Sequence, residues 1–331
     1  MRLFTINEAS RVAEVRREAG AMGKSHGLSE TDLGRLAIVV TELATNQLKH
    51  AHGGEILIDA YEDGTGEGIE IIGIDRGPGI RNLGESMRDG HSTAGSAGQG
   101  LGALKRQSDL FEIASWQDRG VVVVCRIATK KLAKGTVTPK FVWGGVSIPL
   151  AGQEVCGDAF SVRPHGDGLS VLVADGLGHG PVAAMASAAA VRSFSQGNGA
   201  MPTEILRTMH EALRPTRGAA VAVLRLEQNG AHYAGIGNIA GAVLRSDGIS
   251  RMVSMTGTAG FTQTKIRAFE YPAGPGSLVI MASDGIVTGW TLDPYPGLSR
   301  AHPSLIAAVL FRDFSRGRDD ATVVAIRMEA A

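Results

Sequence analysis

Two apolar runs in the second half of this chain stop on Asp-Gly, and a third begins just after Asp-Asp. The segments are "LSVLVADG" (Leu169 to Gly176), "SLVIMASDGI" (Ser277 to Ile286) and "GRDDATVVAIR" (Gly317 to Arg327). Apolar runs of this length, bounded by glycine, read as buried strands. A buried strand that ends in an unpaired carboxylate carries a large desolvation cost, so aspartates at three strand ends imply a shared partner. A fourth, Asp158, opens the strand in "GDAF", and His165-Gly166-Asp167-Gly168 forms a turn between it and the run ending at Asp175. Folding back about that turn sets Asp158 opposite Asp175. Two such carboxylates repel unless a cation lies between them, and an all-oxygen donor set favours Mg²⁺ or Mn²⁺ over zinc. A binuclear site of this kind lowers the pKa of a bridging water and clamps phosphate oxygens for in-line attack.

The first half carries a different constellation. Leu36, Val39, Val40 and Leu43 recur at helical spacing, so Glu42 and Asn46, four residues apart, share one helix face. A carboxylate and a carboxamide there can orient a water and coordinate Mg²⁺ through an amide oxygen. Ile71, Ile72 and Ile74 mark a strand ending in Asp75-Arg76-Gly77-Pro78-Gly79-Ile80, whose glycines let backbone approach a ligand closely. Further on, Gly95, Gly98, Gly100 and Gly102 lead into a helix from Leu101 to Ser108, whose N-terminal amides suit a phosphate.

At 331 residues the chain is long enough for about two domains. The stretch from Ala128 to Gly145, with four lysines and no acid, reads as the connector. The expected division is residues 1–128, a linker at 129–141, and residues 142–331. Before the linker the order is helix (Glu8 to Ala19), helix (Glu30 to His50), two strands (Glu55 to Tyr61, Gly68 to Asp75), glycine-rich loop, helix and strands through Ile127, which implies a two-layer α/β sandwich. After it come strands, helices at Val182 to Ser195 and Thr203 to Leu213, and further β-rich segments, implying a sheet sandwich flanked by helices.

Lys plus Arg and Asp plus Glu balance at 33 each, so no global field draws the protein to nucleic acid or anionic lipid. The longest apolar run, Val121 to Cys125, is far below the ~20 residues that span a bilayer, and no basic-then-apolar leader is seen; the expected location is the cytoplasm. Cys125 and Cys156 lack metal-type spacing and read as buried free thiols.

The order of boxes in the first half resembles the GHKL ATPase superfamily, specifically the small anti-sigma-factor kinases and stressosome switch kinases. "TELATNQLKHA" (Thr41 to Ala51) is similar to the N box, "DRGPGI" to the G1 box and "GQGLGALKR" (Gly98 to Arg106) to the G2 box. The resemblance implies a Bergerat fold with ATP and Mg²⁺. By it Asn46 holds Mg²⁺, Glu42 positions or activates the attacking hydroxyl, and Asp75 reads the adenine amino group. Gly77, Gly79, Gly98, Gly100 and Gly102 line the nucleotide. His91, Ser92 and Thr93 fall in the lid, with roles left open.

From about Val142 to Met328, "GDAF", "VADGLGHG", "SDGI" and "DDATVV" resemble the PPM, or PP2C-like, phosphatases in their SpoIIE and stressosome branch. This implies an α-β-β-α sandwich, α/β (α+β) in class. It also implies a binuclear Mn²⁺ or Mg²⁺ site in which Asp175 bridges the ions, the Gly176 carbonyl joins one, and Asp284 and Asp319 hold the other. Asp158 acts close by, through bound water, and Asp320 stands behind the ligands. His179 is a candidate general acid or an element of the next helix start. Gly235, Gly237 and Asn238 are assigned to tight strand packing.

The expected function is therefore a bifunctional signalling protein: a metal-dependent phosphoserine/phosphothreonine phosphatase fused to an ATP-binding, kinase-like domain. By resemblance its partner is a phosphorylated STAS-domain regulator. Two other readings stay open, an N-terminal domain that only docks or sequesters a partner, and a degenerate phosphatase serving as scaffold.

Overall fold

The structure, a computed structural model, describes residues 1–87, 100–131, 139–197, 199–261 and 265–330. The chain divides into two compact units: Met1–Val137 with Leu292–Ala308, and Thr138–Thr291 with Val309–Ala331.

In the first unit the order is β1 (Arg2–Ile6), α1 (Ala9–Ser25), α2 (Glu30–Ala51), β2 (Gly54–Asp63), β3 (Gly66–Ile74), α3 (Leu83–Ser86), α4 (Gly100–Gln107), β4 (Leu110–Ser115) and β5 (Val121–Lys131). The strands form one antiparallel sheet, β1-β2-β3-β5-β4. Helix α2 starts where the Ser29 hydroxyl accepts the Asp32 N–H at 3.1 Å, with Glu30 and Asp32 in its first turn favoured by the helix dipole. It stops where His52 turns left-handed, at φ 57°. Its apolar stripe of Leu36, Val39, Val40 and Leu43 packs with Val15 and Ala19 of α1 on Ile56, Ile58, Ile69, Ile71, Val123 and Cys125, the helix-facing side of the sheet.

The opposite side of that sheet holds a buried ion cluster. Arg126 and Glu70 are register partners on β5 and β3 and are 2% and 4% exposed. The Arg126 guanidinium donates to Glu70 and Asp63 and lies 4.2 Å over the Tyr61 ring. Ser304, from the 292–308 segment, donates to Glu70 at 2.7 Å and accepts from Arg126 at 3.2 Å. A fully buried charge of this kind needs every such partner.

In the second unit the order is β6 (Phe141–Ile148), β7 (Asp158–His165), β8 (Gly168–Gly176), α5 (Pro181–Gln196), α6 (Pro202–Leu213), β9 (Ala219–Glu227), β10 (Gly230–Ile236), β11 (Ala240–Arg245), β12 (Gly248–Met252), β13 (Phe269–Tyr271) and β14 (Leu278–Ala282). Helix α7 (Pro303–Phe314), which runs across the division, and β15 (Ala321–Met328) complete it. Two five-stranded antiparallel sheets, β13-β10-β9-β8-β7 and β12-β11-β14-β15-β6, enclose Val171, Val173, Leu224, Tyr233, Val279, Met281, Val324 and Ile326 between them. Helices α5 and α6 bury Ala186, Ala190, Phe194, Leu206 and Met209 against Leu172, Val221 and Val223 on the outer side of the first sheet. The fold is thus mixed α/β with antiparallel sheets in both units.

Three differences from the sequence reading have physical causes. Residues 129–131 of the expected linker finish β5, whose pairing with β3 continues through Lys131. Strand β1 was not anticipated, being a five-residue edge strand. Helix α7 was read as part of a β-rich region: residues 302–312 are all buried, so no polar face marks its period. No helix among the described residues is long and apolar enough to cross a membrane.

Candidate functional site

In the second unit β7 and β8 pair antiparallel with Asp158 directly opposite Asp175. Asp158 is 5% exposed, and the Ser283 hydroxyl donates to its Oδ2 at 2.6 Å. Burial drives its carboxyl pKa well above the ordinary range; hydrogen bonds from Ser283 and Thr322 oppose this, and the Asp320 and Asp319 charges add to it. Asp175 is pushed up further, by burial first and then by the charges of Asp158, Asp284 and Asp319. These four aspartates therefore share one electrostatic site. Asp284 follows β14 and is half-buried; its pKa is raised by burial and Asp319 and lowered by Arg316 and by the Asn238 amide, which donates to Oδ2 at 2.7 Å. Asp319 accepts the Asp320 N–H at 2.9 Å.

Backbone approach fixes the frame. A Cβ on Gly176 would stand 2.1 Å from the Ala183 carbonyl oxygen, and one on Gly285 would stand 1.9 Å from that of Asp320, so both Asp-Gly pairs need glycine. Asp320 is 2% exposed and accepts the N–H groups of Leu150 at 2.7 Å and Gly157 at 2.9 Å. It thereby pins the segment that enters β7 at Asp158.

This donor set suits a hard divalent ion: it is all oxygen, and Asp158 and Asp175 are held above the ordinary carboxylate range by burial and by neighbouring carboxylates. The carboxylates converge without closing. Among the described residues no group of three or more Asp, Glu, His or Cys side chains is set to hold an ion as it stands. One oxygen each of Asp158, Asp284 and Asp319 is occupied by a protein donor, so ligation would proceed through their remaining oxygens or after rotation.

In the first unit Gly100, at the start of α4, lies against the α2 pair. A Cβ there would be 3.3 Å from Asn46 Oδ1 and 3.6 Å from Glu42 Oε2. The structure thus brings Glu42, Asn46 and the helix opened by Gly100 and Gly102 together. Asp75, at the end of β3, accepts the N–H groups of Gly77 at 2.9 Å and Val121 at 3.1 Å on Oδ1. Gly79 (φ 74°) passes so close to Trp116 that a Cβ would be 2.3 Å from its carbonyl oxygen. Gln47, one residue beyond Asn46, donates through Nε2 to the carbonyls of Glu55 at 2.8 Å and Ile74 at 3.1 Å. It ties the α2 helix to the strand end that carries Asp75.

Residues 5–127 match the family described as "Histidine kinase-like ATPase domain", and residues 165–329 match "Stage II sporulation protein E (SpoIIE)". The chain is similar to the serine/threonine-protein kinase RsbT of Bacillus subtilis (strain 168), 35% identical over 102 residues that cover 31% of this chain and 77% of RsbT. It is also similar to the phosphoserine phosphatase RsbX of the same organism, 32% identical over 91 residues, or 27% of this chain and 45% of RsbX. A solved structure described as "The bacterial stressosome: a modular system that has been adapted to control secondary messenger signaling" superposes with a TM-score of 0.54 at 28% identity. That match covers 57% of this chain and all of the other.

This chain joins a histidine kinase-like ATPase domain to a SpoIIE-type PP2C phosphatase domain. The match to RsbX spans 45% of that protein's length, and the SpoIIE match falls in the second half of this chain. In that half the reading of Asn238 needs correction. Gly235 and Gly237 do serve close packing, against Ser254 and Ala220, but Asn238 reaches Asp284 and belongs to the carboxylate site. Ser283, the donor to Asp158, was also missed; it stands beside Asp284 within the motif, yet a serine there carries no signal of its own.

His179 is exposed, and α5 starts at Gly180 without any side-chain cap, so the histidine does not cap it. In the ATPase half Gly98, like His91, Ser92, Thr93 and Gly95, lies outside the described residues. Both cysteines are free: Cys125 is buried and Cys156 half-buried, and burial pushes each thiol up to about 12.

Proposed function

We propose that the phosphatase domain removes phosphate from phosphoserine or phosphothreonine on a STAS-domain regulator, and that the ATPase domain binds ATP with Mg²⁺ and phosphorylates a regulator of the same class. The observation that carries the first part is the convergence of Asp158, Asp175, Asp284 and Asp319, with the ionised forms of Asp158, Asp175 and Asp284 disfavoured by burial and by neighbouring carboxylates. When bound, two Mn²⁺ or Mg²⁺ ions supply the missing positive charge and a water of lowered pKa. Asp175 and the Gly176 carbonyl, with Asp284 and Asp319, are the groups that would hold them. Asp158 stays close by, fixed by Ser283, and acts through bound water. Asn238 holds Asp284 in orientation, as partners of metal ligands commonly do.

For the first unit, Asn46 is the Mg²⁺ ligand, Glu42 the group that orients or activates the attacking hydroxyl, and Asp75 the acceptor for the adenine amino group. Gly77, Gly79, Gly98, Gly100 and Gly102 line the phosphate and base. The contact of Gly100 with Asn46 and Glu42 supports this arrangement, and the similarity to the kinase RsbT supports transfer. The other reading is a docking module that binds ATP without transferring it; the two backbone N–H groups on Asp75 Oδ1 hold its carboxylate for the adenine amino group in either case.

Incubating the full chain with a purified STAS protein and labelled ATP separates the two. Label should appear on the STAS protein with an Asp175→Ala variant, in which phosphatase activity cannot erase it. Absence of label from both wild type and that variant would leave only the docking reading. Loss of the phosphate from pre-labelled STAS protein by wild type with Mn²⁺, and its retention with Asp175→Ala, is the expected phosphatase result.

A further inference from the structure

A metal-loaded carboxylate site has a charge problem that its ligands do not solve. Two divalent ions and four aspartates cancel, so a dianionic phosphate ester meets no net positive charge unless the chain provides it. Arg316 and Arg318 act electrostatically on Asp284 and are one source of such charge.

Arg217 is placed differently. It precedes Gly218, whose carbonyl accepts the Leu177 N–H at 3.1 Å, and the next two residues, Ala219 and Ala220, pair with Gly176 and Asp175 across β9 and β8. The segment is fixed by its own turn, in which the Gly218 N–H donates to the Thr216 hydroxyl at 2.9 Å and that hydroxyl donates to the Leu213 carbonyl at 2.6 Å. The guanidinium leans over the loop leaving Asp175: its Nη1 lies 3.6 Å from where a Cβ on Gly178 would stand, and Gly178 adopts φ 95°, which keeps that space open. Arg217 is exposed, and among the described residues no carboxylate or carbonyl holds it. Its neighbour Arg214, by contrast, is paired with Glu211. Exposed Leu177 and Phe261 flank the same spot, the Phe261 ring lying 3.1 Å from the Cβ position of Gly218.

We infer that Arg217 is a substrate-binding residue, which takes the phosphoryl oxygens of the incoming phosphoserine or phosphothreonine beside the carboxylate site. The inference rests on the phosphatase reading above. A planar guanidinium can give two parallel N–H bonds to a phosphate, which a single ammonium cannot, and Leu177 and Phe261 provide an apolar wall for residues next to the phosphorylated one.

The test uses the full chain loaded with Mn²⁺, with inorganic phosphate and p-nitrophenyl phosphate as probes. Arg217→Ala should weaken product inhibition by inorganic phosphate about tenfold and raise KM by a similar factor, the usual worth of a charge-assisted hydrogen bond. Its kcat should fall less, and the Mn²⁺ concentration for half-activation and the melting temperature should match wild type. Arg217→Lys should recover part of the loss, and Arg214→Ala should change neither constant. Unchanged phosphate inhibition in Arg217→Ala, or an equal shift in Arg214→Ala, would overturn the assignment while leaving the phosphatase reading intact. A changed Mn²⁺ requirement in Arg217→Ala would also overturn it, by showing that the residue acts on the metal site. No Mn²⁺-dependent hydrolysis by wild type would instead remove the reading on which it stands.

Discussion

Asp319 and Asp320 are adjacent and chemically identical, yet the structure gives them different surroundings, and substitution separates them. Asp320 is almost fully buried and accepts two backbone N–H groups, from Leu150 and Gly157. Asp320→Ala leaves the buried Gly157 N–H and the half-buried Leu150 N–H without acceptors, at about 1–3 kcal/mol for the first and less for the second, so the phosphatase unit should lose about 2–5 kcal/mol. A unit of this size shifts by about 2–4 °C per kcal/mol, which predicts a fall of about 4–20 °C in its melting transition. Asp320→Asn keeps one acceptor and turns an amide donor toward the other N–H, so it should fall by about half as much. Asp319 is only half-buried and accepts one local N–H, so Asp319→Ala should melt within about 3 °C of wild type while binding Mn²⁺ far more weakly. Calorimetric scans in EDTA read the stability, free of any contribution from bound metal. The reasoning fails if Asp320→Ala melts with wild type, or if Asp319→Ala shows the large loss.

Two further expectations concern proton linkage and the ATPase half. Because the folded-state pKa values of Asp158, Asp175 and Asp284 are raised, their contribution to metal-free stability is present in acid and lost as pH rises through those values. Divalent ions compete with those protons, so Mn²⁺ affinity should rise with pH and binding should release protons, read by titration calorimetry in buffers of different ionisation enthalpy; a pH-independent affinity would contradict the electrostatic account. Gln47→Leu should cost about 1–3 kcal/mol, because the Glu55 and Ile74 carbonyls lose their buried donor, and should weaken ATP binding several-fold by releasing the strand end at Asp75. Unchanged melting and ATP affinity in that variant would show that the glutamine does not position the site.

How much of this was legible depends on whether a residue's role follows from local pattern. The register of Asp158 opposite Asp175 could be read because the turn His165 to Gly168 and the alternation of two strands leave one way to fold back. The pairing of Glu42 with Asn46 could be read from a helical repeat, as both sit on α2. The approach of Gly100 to that pair could not, since no spacing rule links α4 to α2. Asn238 was assigned to strand packing, because its partner Asp284 is 46 positions away and only the sheet order places the two ends together. Helix α7 was invisible for the opposite reason: burial on all sides erased the period that identifies a helix. Arg217 is one exposed arginine among many until its neighbour's carbonyl is seen to hold the loop after Asp175.

The central claim is that four converging aspartates make this chain a metal-dependent phosphatase, and Asp284 tests it most directly, being half-buried with one oxygen held by Asn238. The measurement is Mn²⁺-dependent hydrolysis of p-nitrophenyl phosphate by the full chain and by Asp284→Ala, with folding confirmed by melting. The account predicts robust hydrolysis by wild type and at least about a hundredfold loss in the variant, as expected when a metal-centred step loses a ligand. Equal rates would contradict it.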